Sequence, residues 1–478
     1  MVDSSSELRI EEGPGDDSHV AWLPELLYRD GRFERGLALV CDRQGRITRI
    51  VPAAEVTARS VVPLKNRALL PGLVNAHSHA FQRVIRGRTE YRTGARDSFW
   101  TWREMMYSAA TRLGPEEIYD ASRMAFLEMV LGGITSVGEF HYLHRTPDGS
   151  PYEDENLLAK AVVRAARDVG LRITLLRVAY ARSGFRIAPN ERQARFIEAD
   201  PEVYLRNVEA LRSALADDDA ARVGVAPHSV RAVPLPYLKE VSRFARSRAL
   251  SVHMHLAEQP AEVAACMEEY GRTPVALLDT EGLLDDRLTG IHVIHITPEE
   301  ARALARSGAM ACACPTTERN LGDGVAPADL FFREGVRVAL GTDSQAQVDL
   351  LEDARELELH LRLSKLERAV LSEEGDGLAS LAGRLLDCAT LHGAQSIGSD
   401  GGKLEEGRPA DFFTLDLNDP SIAGASTEDL LPCIVFSHAQ RSIREVFVGA
   451  RPILENGEHR AAPGIVRRFA ALQRRLWS

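Results

Sequence analysis

The sequence predicts an α/β protein: a (β/α)8 barrel of the TIM type, with a small β-sandwich domain built from both chain ends. Three observations lead to this prediction. The middle of the 478-residue chain alternates eight short apolar runs with stretches of helical spacing, as parallel βα units do. Each end adds strand-like segments that are too few for a stable sheet alone. Polar residues directly follow several runs, where barrel enzymes place their chemistry.

The apolar runs predict the barrel strands in chain order. They are Leu69–Ala76, Ile134–Phe140, Ile173–Ala179, Val223–Ala226, Leu250–Leu256, Gly290–Ile296, Ala309–Cys314 and Val336–Leu340. Between most of them lie amphipathic stretches such as Pro115–Leu131 and Pro298–Ser307, which predict the intervening helices.

The two ends are predicted to combine into the second domain. Leu37–Val40 and Ile47–Ile50 flank a turn and predict a hairpin, and 411–416 and 446–449 have strand-like composition. We therefore expect three segments: 1–68 and 399–478 form the two parts of the small β domain, the latter with a terminal helix, and 69–398 forms the barrel.

Composition narrows the class of protein. A hydrophobic fraction of 45% and a charged fraction of 27% are ordinary for a globular enzyme, and a formal net charge of -11 argues against nucleic-acid binding. Six cysteines do not form a disulfide framework. Met1–Asp17 is polar, and no run reaches the length of a membrane span. These features predict a soluble, cytoplasmic protein without a membrane partner.

His77 and His79 are the most informative pair in the chain. They follow the first apolar run with a spacing of two, and strand side chains two apart share a face. Two imidazoles directed at one point suit a divalent metal such as zinc.

Three later strands supply residues that could complete such a site. His255 ends the fifth run, and Glu258 lies just past it, where a carboxylate could carry protons. His253 shares the face of His255, which is nearer the mouth and therefore favoured. The sixth run carries His292 and His295, of which only one should reach the site; we favour His292.

Asp343 follows the eighth run. A buried aspartate is costly unless it is paired or ligated, so it suits a fourth ligand and a base for the attacking water. The fourth run, Val223–Ala226, contains no lysine that could bridge two metals, which favours one metal over two.

These motifs resemble those of the amidohydrolase superfamily, in particular its mononuclear deaminase branch. Within that branch, longer stretches resemble the formimidoylglutamate deiminase family. The stretches begin at the two histidines and run through the middle of the chain to Gly324. They are 77–83, 99–104, 138–142, 226–233, 255–259 and 314–324.

The resemblance implies one zinc ion per chain and assigns roles to particular residues. The zinc ligands would be His77, His79, His255 and Asp343. The catalytic residues would be Glu258, His292 and Asp343, which surround the hydrolytic water. The substrate contacts would fall on Gln82, Arg103, Tyr142, His228 and Arg231.

The implied reaction is hydrolytic deamination of N-formimino-L-glutamate to N-formyl-L-glutamate and ammonia, a step of histidine degradation. Arg103 and Arg231 would clamp the two carboxylates, with Arg182 and Arg186 as possible helpers. The resemblance also implies a homodimer. In one respect the chain departs from the family, because Gln345 stands where the family has histidine.

Other functions stay open from the sequence. A related deaminase could act on a purine, a pyrimidine or a guanidino compound, which predicts stacking and amide contacts rather than two arginine clamps. A non-catalytic barrel serving as a scaffold predicts loss of the metal motifs, yet all of them are present. A binuclear amide-ring hydrolase is disfavoured by the missing lysine.

Overall fold

The computed structural model describes residues 11–12, 16–92, 98–187 and 191–478. Residues 1–10 and 13–15, which belong to the polar segment Met1–Asp17, lie outside the described residues. Within the described residues, none of the helices combines the length and the apolar character needed to cross a bilayer.

The central sheet is a barrel of parallel strands. In chain order its strands are β7 (Leu73–Ser78), β8 (Ile134–His141), β9 (Arg172–Ala179), β10 (Ala221–Pro227), β11 (Val252–Leu256), β12 (Leu288–His292), β13 (Met310–Ala313) and β14 (Val338–Leu340). Neighbours in sequence are neighbours in the sheet. Backbone bonds just past β14 bring it to β7, because Asp343 N donates to His77 O at 3.0 Å and His79 N donates to Asp343 O at 3.0 Å.

The α-helices surround the barrel and follow its strands. They are α1 (Phe99–Ala110), α2 (Pro115–Leu131), α3 (Leu157–Val169), α4 (Pro201–Ala214), α5 (Leu235–Arg248), α6 (Pro260–Tyr270), α7 (Pro274–Thr280), α8 (Pro298–Ser307), α9 (Pro315–Leu321), α10 (Ala328–Glu334), α11 (Leu350–Lys365), α12 (Ser380–Ala389), α13 (Leu391–Ser396), α14 (Leu430–Ser437) and α15 (Ala462–Trp477). Local sequence explains several of their starts. At α8, for example, Thr297 accepts a hydrogen bond from Glu300 N while Glu300 accepts from Thr297 N, and proline follows the cap.

The second sheet joins the two ends of the chain. Its strands are β1 (Glu11–Glu12), β2 (Asp16–Arg29), β3 (Arg32–Arg35), β4 (Leu37–Asp42), β5 (Ile47–Pro52), β6 (Ala58–Pro71), β15 (Phe412–Asp416), β16 (Ile443–Val448) and β17 (Arg451–Leu454). The central order is β17-β16-β15-β6-β2-β4-β5, so β6 and β15 hold the two ends together. Trp22, Leu39 and Phe447 share one apolar cluster with residues of both ends.

The predicted fold class is confirmed: a barrel of parallel strands and a second β unit from both ends, whose strands belong to one sheet. Each predicted run overlaps a barrel strand, with two differences. Leu69 and Leu70 belong to β6 of the second sheet, and Gly72 separates it from β7, where a side chain would collide with Thr135. The sixth strand ends at His292 rather than continuing to Ile296. The division into 1–68, 69–398 and 399–478 stays a prediction.

Candidate metal centre and active site

Four predicted ligands converge at the C-terminal mouth of the barrel. One ligand atom from each of His77, His79, His255 and Asp343 lies within 4.8 Å of the others, and all four residues are buried. Asp343 Oδ1 is 3.3 Å from His79 Nε2 and 3.6 Å from His77 Nε2. Because the carboxyl ends of neighbouring strands meet here, residues far apart in sequence share one small space.

Backbone carbonyls fix the orientation of two of these rings. His79 Nδ1 donates to Phe140 O at 2.9 Å, and His255 Nδ1 donates to His228 O at 3.2 Å. Each ring therefore carries its proton on Nδ1 and leaves Nε2 free to coordinate. Among the described residues, neither nitrogen of His77 has a hydrogen-bond partner, although the side chain is fully buried. An unsatisfied buried imidazole fits a metal ligand.

The protonation states of the four residues also suit a metal. Burial lowers the pKa of His77 to about 3 and lowers the pKa values of His79 and His255, so the three rings are neutral. Burial acts to raise the pKa of Asp343, but the surrounding histidines outweigh it and hold the pKa below its usual range. Neutral imidazoles and an ionised carboxylate form the donor set that zinc prefers.

The structure distinguishes between the paired candidates of the fifth and sixth strands. His253 points away from the mouth, and its Nε2 is 2.8 Å from Ser396 O. His295 lies past the end of β12 with Nε2 2.9 Å from Asp323 O. His255 and His292 face the centre instead, as the sequence favoured.

Glu258 and His292 stand next to the four-residue group. His292 Nε2 is 3.7 Å from Glu258 Oε1 and 3.6 Å from Asp343 Oδ2. Burial raises the pKa of Glu258 to about 7; the charge of His292 opposes this shift and that of Asp343 adds to it. A carboxyl group with such a pKa can both hold and release a proton near neutral pH.

A pocket opens from this group, and every predicted substrate contact lines it. Its walls also contain aromatic and apolar residues. The lining residues are His79, Gln82, Phe99, Trp102, Arg103, Met106, Tyr107, Tyr142, Tyr180, Phe196, His228, Arg231, His255, Glu258, His292, Leu321 and Asp343.

Arg103 and Arg231 are the cations of this pocket. Both guanidinium groups lie over Trp100, with Cζ to ring-centroid distances of 4.5 Å and 5.9 Å. Among the described residues, Nε and Nη1 of Arg103 are buried without a hydrogen-bond partner. A buried guanidinium that lacks a protein acceptor suits an anionic group of a ligand.

The remaining predicted contacts are Gln82, Tyr142 and His228. Gln82 Nε2 donates to the Tyr142 hydroxyl at 2.8 Å, and Gln82 Oε1 is buried without a partner among the described residues. The His228 ring stacks on His255, with 4.9 Å between ring centroids and 23° between planes. The Tyr142 ring lies 5.1 Å from that of His79, so Tyr142 and His228 both border the metal group.

Arg182 and Arg186 do not line the described pocket. Arg182 donates to Glu269 Oε1 at 2.9 Å and to Arg231 O at 3.0 Å, so it supports the loop that carries Arg231. Arg186 lies in a turn after β9 with a positive φ of 52°. The expectation that they help to bind substrate directly is therefore not met by their positions.

Gln345 lies behind the metal group, outside the pocket lining. Its Nε2 donates to Ser78 Oγ and to Asp343 O, both at 2.9 Å, and its Oε1 accepts from Thr342 Oγ1 at 3.1 Å. Ser78 in turn donates to Glu139 Oε2 at 2.6 Å. The departure at position 345 therefore falls at the join between the first and last strands, and Gln345 is not one of the residues that line the pocket.

Sequence reasoning missed several residues of this region. Met106, Tyr107, Tyr180, Phe196 and Leu321 line the pocket, and helical spacing along α1 could have indicated the first two. Two buried acids lie in stretches quoted for the resemblance but received no role: Glu139, whose pKa burial raises to about 8, and Glu318, which contacts His292.

The family model that matches this chain is the amidohydrolase family, over residues 68–457, and the chain belongs to this family of hydrolases. Among its relatives is the formimidoylglutamate deiminase of Pseudomonas aeruginosa, which is 38% identical over 94% of this chain and 96% of its own length. A 5-methylthioadenosine/S-adenosylhomocysteine deaminase of Natronomonas pharaonis is 28% identical over 84% of this chain and 85% of its own length.

Solved structures agree with the fold. A crystal structure of an amidohydrolase from Brucella melitensis superposes with a TM-score of 0.87 at 34% identity, covering 96% of this chain and all 100% of that one. An adenosine deaminase from Xanthomonas campestris with bound zinc superposes with a TM-score of 0.81 at 23% identity, covering 97% and 99%.

Proposed function

We propose that this protein is a zinc-dependent hydrolase that converts N-formimino-L-glutamate and water to N-formyl-L-glutamate and ammonia. One observation carries the choice of substrate. The pocket beside the metal group contains two guanidinium groups, those of Arg103 and Arg231, and no ion pair with a protein carboxylate engages either of them among the described residues. A substrate with two carboxylates supplies the missing partners.

The relatives support the same choice. The Pseudomonas aeruginosa formimidoylglutamate deiminase is more similar to this chain than the adenosine-type deaminase of Natronomonas pharaonis. A purine substrate would need stacking and amide contacts, and it would leave Arg103 and Arg231 desolvated and unpaired. The formimino compound accounts for both arginines and for the deaminase-type centre.

One zinc ion per chain is proposed at His77, His79, His255 and Asp343. The unpartnered nitrogens of His77 and the free Nε2 atoms of His79 and His255 fit this role. Bound there, zinc supplies a Lewis acid and lowers the pKa of water at the site toward about 7.

Different side chains around the centre accept and donate the protons of the reaction. Asp343 and His292 accept the proton of the attacking water, since Asp343 Oδ2 and His292 Nε2 face the same side of the centre. Water oxygen bonds to the formimino carbon, and protonated Glu258 donates to the imino nitrogen as its C=N electrons move onto nitrogen.

Collapse of the tetrahedral intermediate completes the reaction. Glu258, now a carboxylate, takes the remaining hydroxyl proton and passes it to the amino group, which leaves as ammonia while the formyl C=O forms. The proton first taken by Asp343 and His292 then passes to Glu258, whose Oε1 is 3.7 Å from His292 Nε2, and restores the starting state. Arg103 and Arg231 hold the carboxylates. Gln82, Tyr142 and His228 position the formimino end, because they border the centre.

Two further predictions belong to this proposal. The protein is expected to form a homodimer, which light scattering after gel filtration tests, and to reside in the cytoplasm, where histidine degradation takes place. No nucleic-acid partner is expected, in keeping with the net charge of -11.

Ammonia release by the zinc-loaded protein tests the proposal. N-formimino-L-glutamate is compared with 5'-methylthioadenosine, guanine, cytosine and N-guanidino-L-glutamate. Release from the formimino compound at a kcat/KM at least about tenfold above every other compound supports the proposal, a margin of ~1.4 kcal/mol. Preference for another compound overturns the substrate, and failure to bind zinc overturns the centre.

Arg231→Ala tests the clamp separately. Loss of a charge-assisted hydrogen-bonded pair should lower kcat/KM about 10- to 100-fold, mainly through KM. Arg182→Ala, which removes a neighbouring arginine outside the pocket lining, is the matched control and should have a smaller effect. Equal kinetics for Arg231→Ala and the unaltered protein would remove Arg231 from the site.

A further inference from the structure

The backbone that presents His292 has an uncommon conformation. His292 and Val293 have φ values of 68° and 52°, and Val293 N donates to Ile291 O at 3.0 Å, which closes a three-residue turn around His292. Turns of this kind with positive φ are rare, and positive φ is especially unfavourable for a β-branched residue such as Val293. Such strain persists only where surrounding contacts hold it.

Glu318 makes one of those contacts from a different βα unit. It lies on α9, is only 1% exposed, and its Oε1 is 3.2 Å from His292 Nδ1. The same oxygen accepts from Cys314 N at 2.8 Å. Among the described residues, Oε2 of Glu318 is buried without a partner.

We infer that Glu318 is a positioning residue for the reaction: its carboxylate fixes the ring orientation and the tautomer of His292. A carboxylate oxygen can only accept from Nδ1, so neutral His292 carries its proton on Nδ1. The Nε2 lone pair then faces Asp343 and Glu258, where a proton has to be accepted.

Three ligand-type atoms meet at this point, because His292, Cys314 and Glu318 also lie within 4.8 Å of one another. The hydrogen bonds from His292 and from Cys314 N account for Oε1 without an ion. The positioning role therefore predicts that the metal content of the protein does not depend on Glu318.

The effect of Glu318 on kcat rests on the proposed hydrolysis, but the central test of its positioning role does not. In protein with 15N-labelled histidine, NMR of the imidazole nitrogens reports the tautomer of each ring, and comparison with His292→Asn assigns the His292 signals. In zinc-loaded protein, at a pH high enough to make the His292 ring neutral, we expect the Nδ1-protonated tautomer in the unaltered protein, and a mixture that includes the Nε2-protonated form in Glu318→Ala. An Nδ1-protonated ring in Glu318→Ala would overturn the inference, whatever the substrate proves to be.

Kinetics add a second measurement. Glu318→Ala should lower kcat about 10- to 100-fold, the usual range for groups that orient a functional histidine, with little change in KM and none in zinc content. Loss of zinc would make Glu318 a ligand and overturn the inference, as would an unchanged kcat.

Glu318→Gln separates orientation from charge. The Cys314 N–H has to face an acceptor, so it fixes the amide with its oxygen at the Oε1 position, where His292 Nδ1 can still donate. We expect the Nδ1-protonated tautomer and most of kcat to be retained. Activity as low as in Glu318→Ala would show that the charge matters and would overturn the orienting role.

Asp353→Asn is the control for folding. Asp353 is another fully buried acid, on α11, and its Oδ1 accepts from Thr316 N of the same helix α9 at 2.9 Å. Its substitution should perturb the packing of α9 without changing the His292 tautomer. The same tautomer mixture in Asp353→Asn and Glu318→Ala would overturn the specific role of Glu318.

Discussion

Arg177 and Glu198 are as deeply buried as His77 and Asp343, but the two groups differ in whether their polar atoms have hydrogen-bond partners in the protein. The Arg177 Nε donates to Asn156 at 2.9 Å, and both terminal nitrogens donate to Glu198. His77 has no hydrogen-bond partner among the described residues. The protein completes the first group by itself, whereas the second is left open to an ion and a substrate.

The difference teaches where function lies in a buried polar network. A buried charge that is paired and fully hydrogen-bonded holds the fold together, and removing one partner is costly. A buried group without a protein partner carries an energetic cost that a ligand or an ordered water molecule can relieve. Arg103 and Gln82, which have unpartnered atoms, line the pocket, and His77 belongs to the four-residue metal group from which the pocket opens.

Among the substitutions near the metal group, Glu258→Gln should have the largest effect on kcat. The amide cannot carry the proton to nitrogen, so we expect kcat to fall about 10²- to 10⁴-fold while zinc is retained. Stability should not fall, because burial already disfavours the charge of Glu258. Steady-state ammonia release and zinc analysis measure both quantities. Turnover within tenfold of the unaltered protein would contradict the proton-transfer role.

Arg177→Met should instead lower the stability of the protein, because it breaks the pair of Arg177 and Glu198. It leaves the Glu198 charge buried and unpaired, so we expect the free energy of unfolding to fall by about 3–5 kcal/mol. Urea unfolding of the zinc-loaded protein measures this loss, and zinc content should not change. The double variant Arg177→Met/Glu198→Gln removes the orphaned charge and should regain part of the stability; no regain would contradict the pairing argument.

The pH dependence of stability sharpens the comparison further. Burial acts to raise the pKa of Glu198, but Arg177 and His144 outweigh it and lower the pKa to about 2 from 4.5. The stability that this pair contributes is therefore complete above pH 4.5 and is lost as pH falls toward 2.

In Arg177→Met, burial without a partner should instead raise the pKa of Glu198. Above pH 4.5, stability should then fall as pH rises, by up to ~1.4 kcal/mol per pH unit. Unfolding free energies between pH 4.5 and 7 test this change of sign, and parallel curves for the two proteins would refute it.

Gln345→His should have the smallest effect. Position 345 bonds Ser78 and Thr342 behind the centre and lies outside the described pocket lining. We expect the ratio of kcat/KM between N-formimino-L-glutamate and N-guanidino-L-glutamate to change less than about threefold, which is under ~0.7 kcal/mol. A larger shift would show that this position takes part in substrate choice.

The sequence allowed the metal group to be predicted because its signals are local. His77 and His79 are two apart at the end of one strand, His255 lies at the end of an apolar run, and Asp343 follows another. Strand periodicity and the common mouth of a barrel then bring them together without knowledge of any tertiary contact. The same reasoning predicted the strands, except where β6 continues to Pro71 in the second sheet and where β12 ends at His292.

Contacts between separate βα units could not be predicted in this way. Arg182 was a candidate for the substrate, but Glu269 on α6 engages it. The partner of His292 is Glu318, which comes from the following βα unit. The early end of β12 depends on the turn at His292, whose positive φ no hydrophobic pattern encodes.

The junction of β6 with β15 has a consequence for the order of protein synthesis. Pro71 pairs with Phe412 and Arg67 with Asp416, so the neighbour of β6 is translated only after the entire barrel. Until then one edge of β6 offers free backbone donors and acceptors, and such an edge invites pairing with other chains. A chain released before β15 is synthesised therefore cannot bury that edge. Truncated chains of this kind should be prone to aggregate.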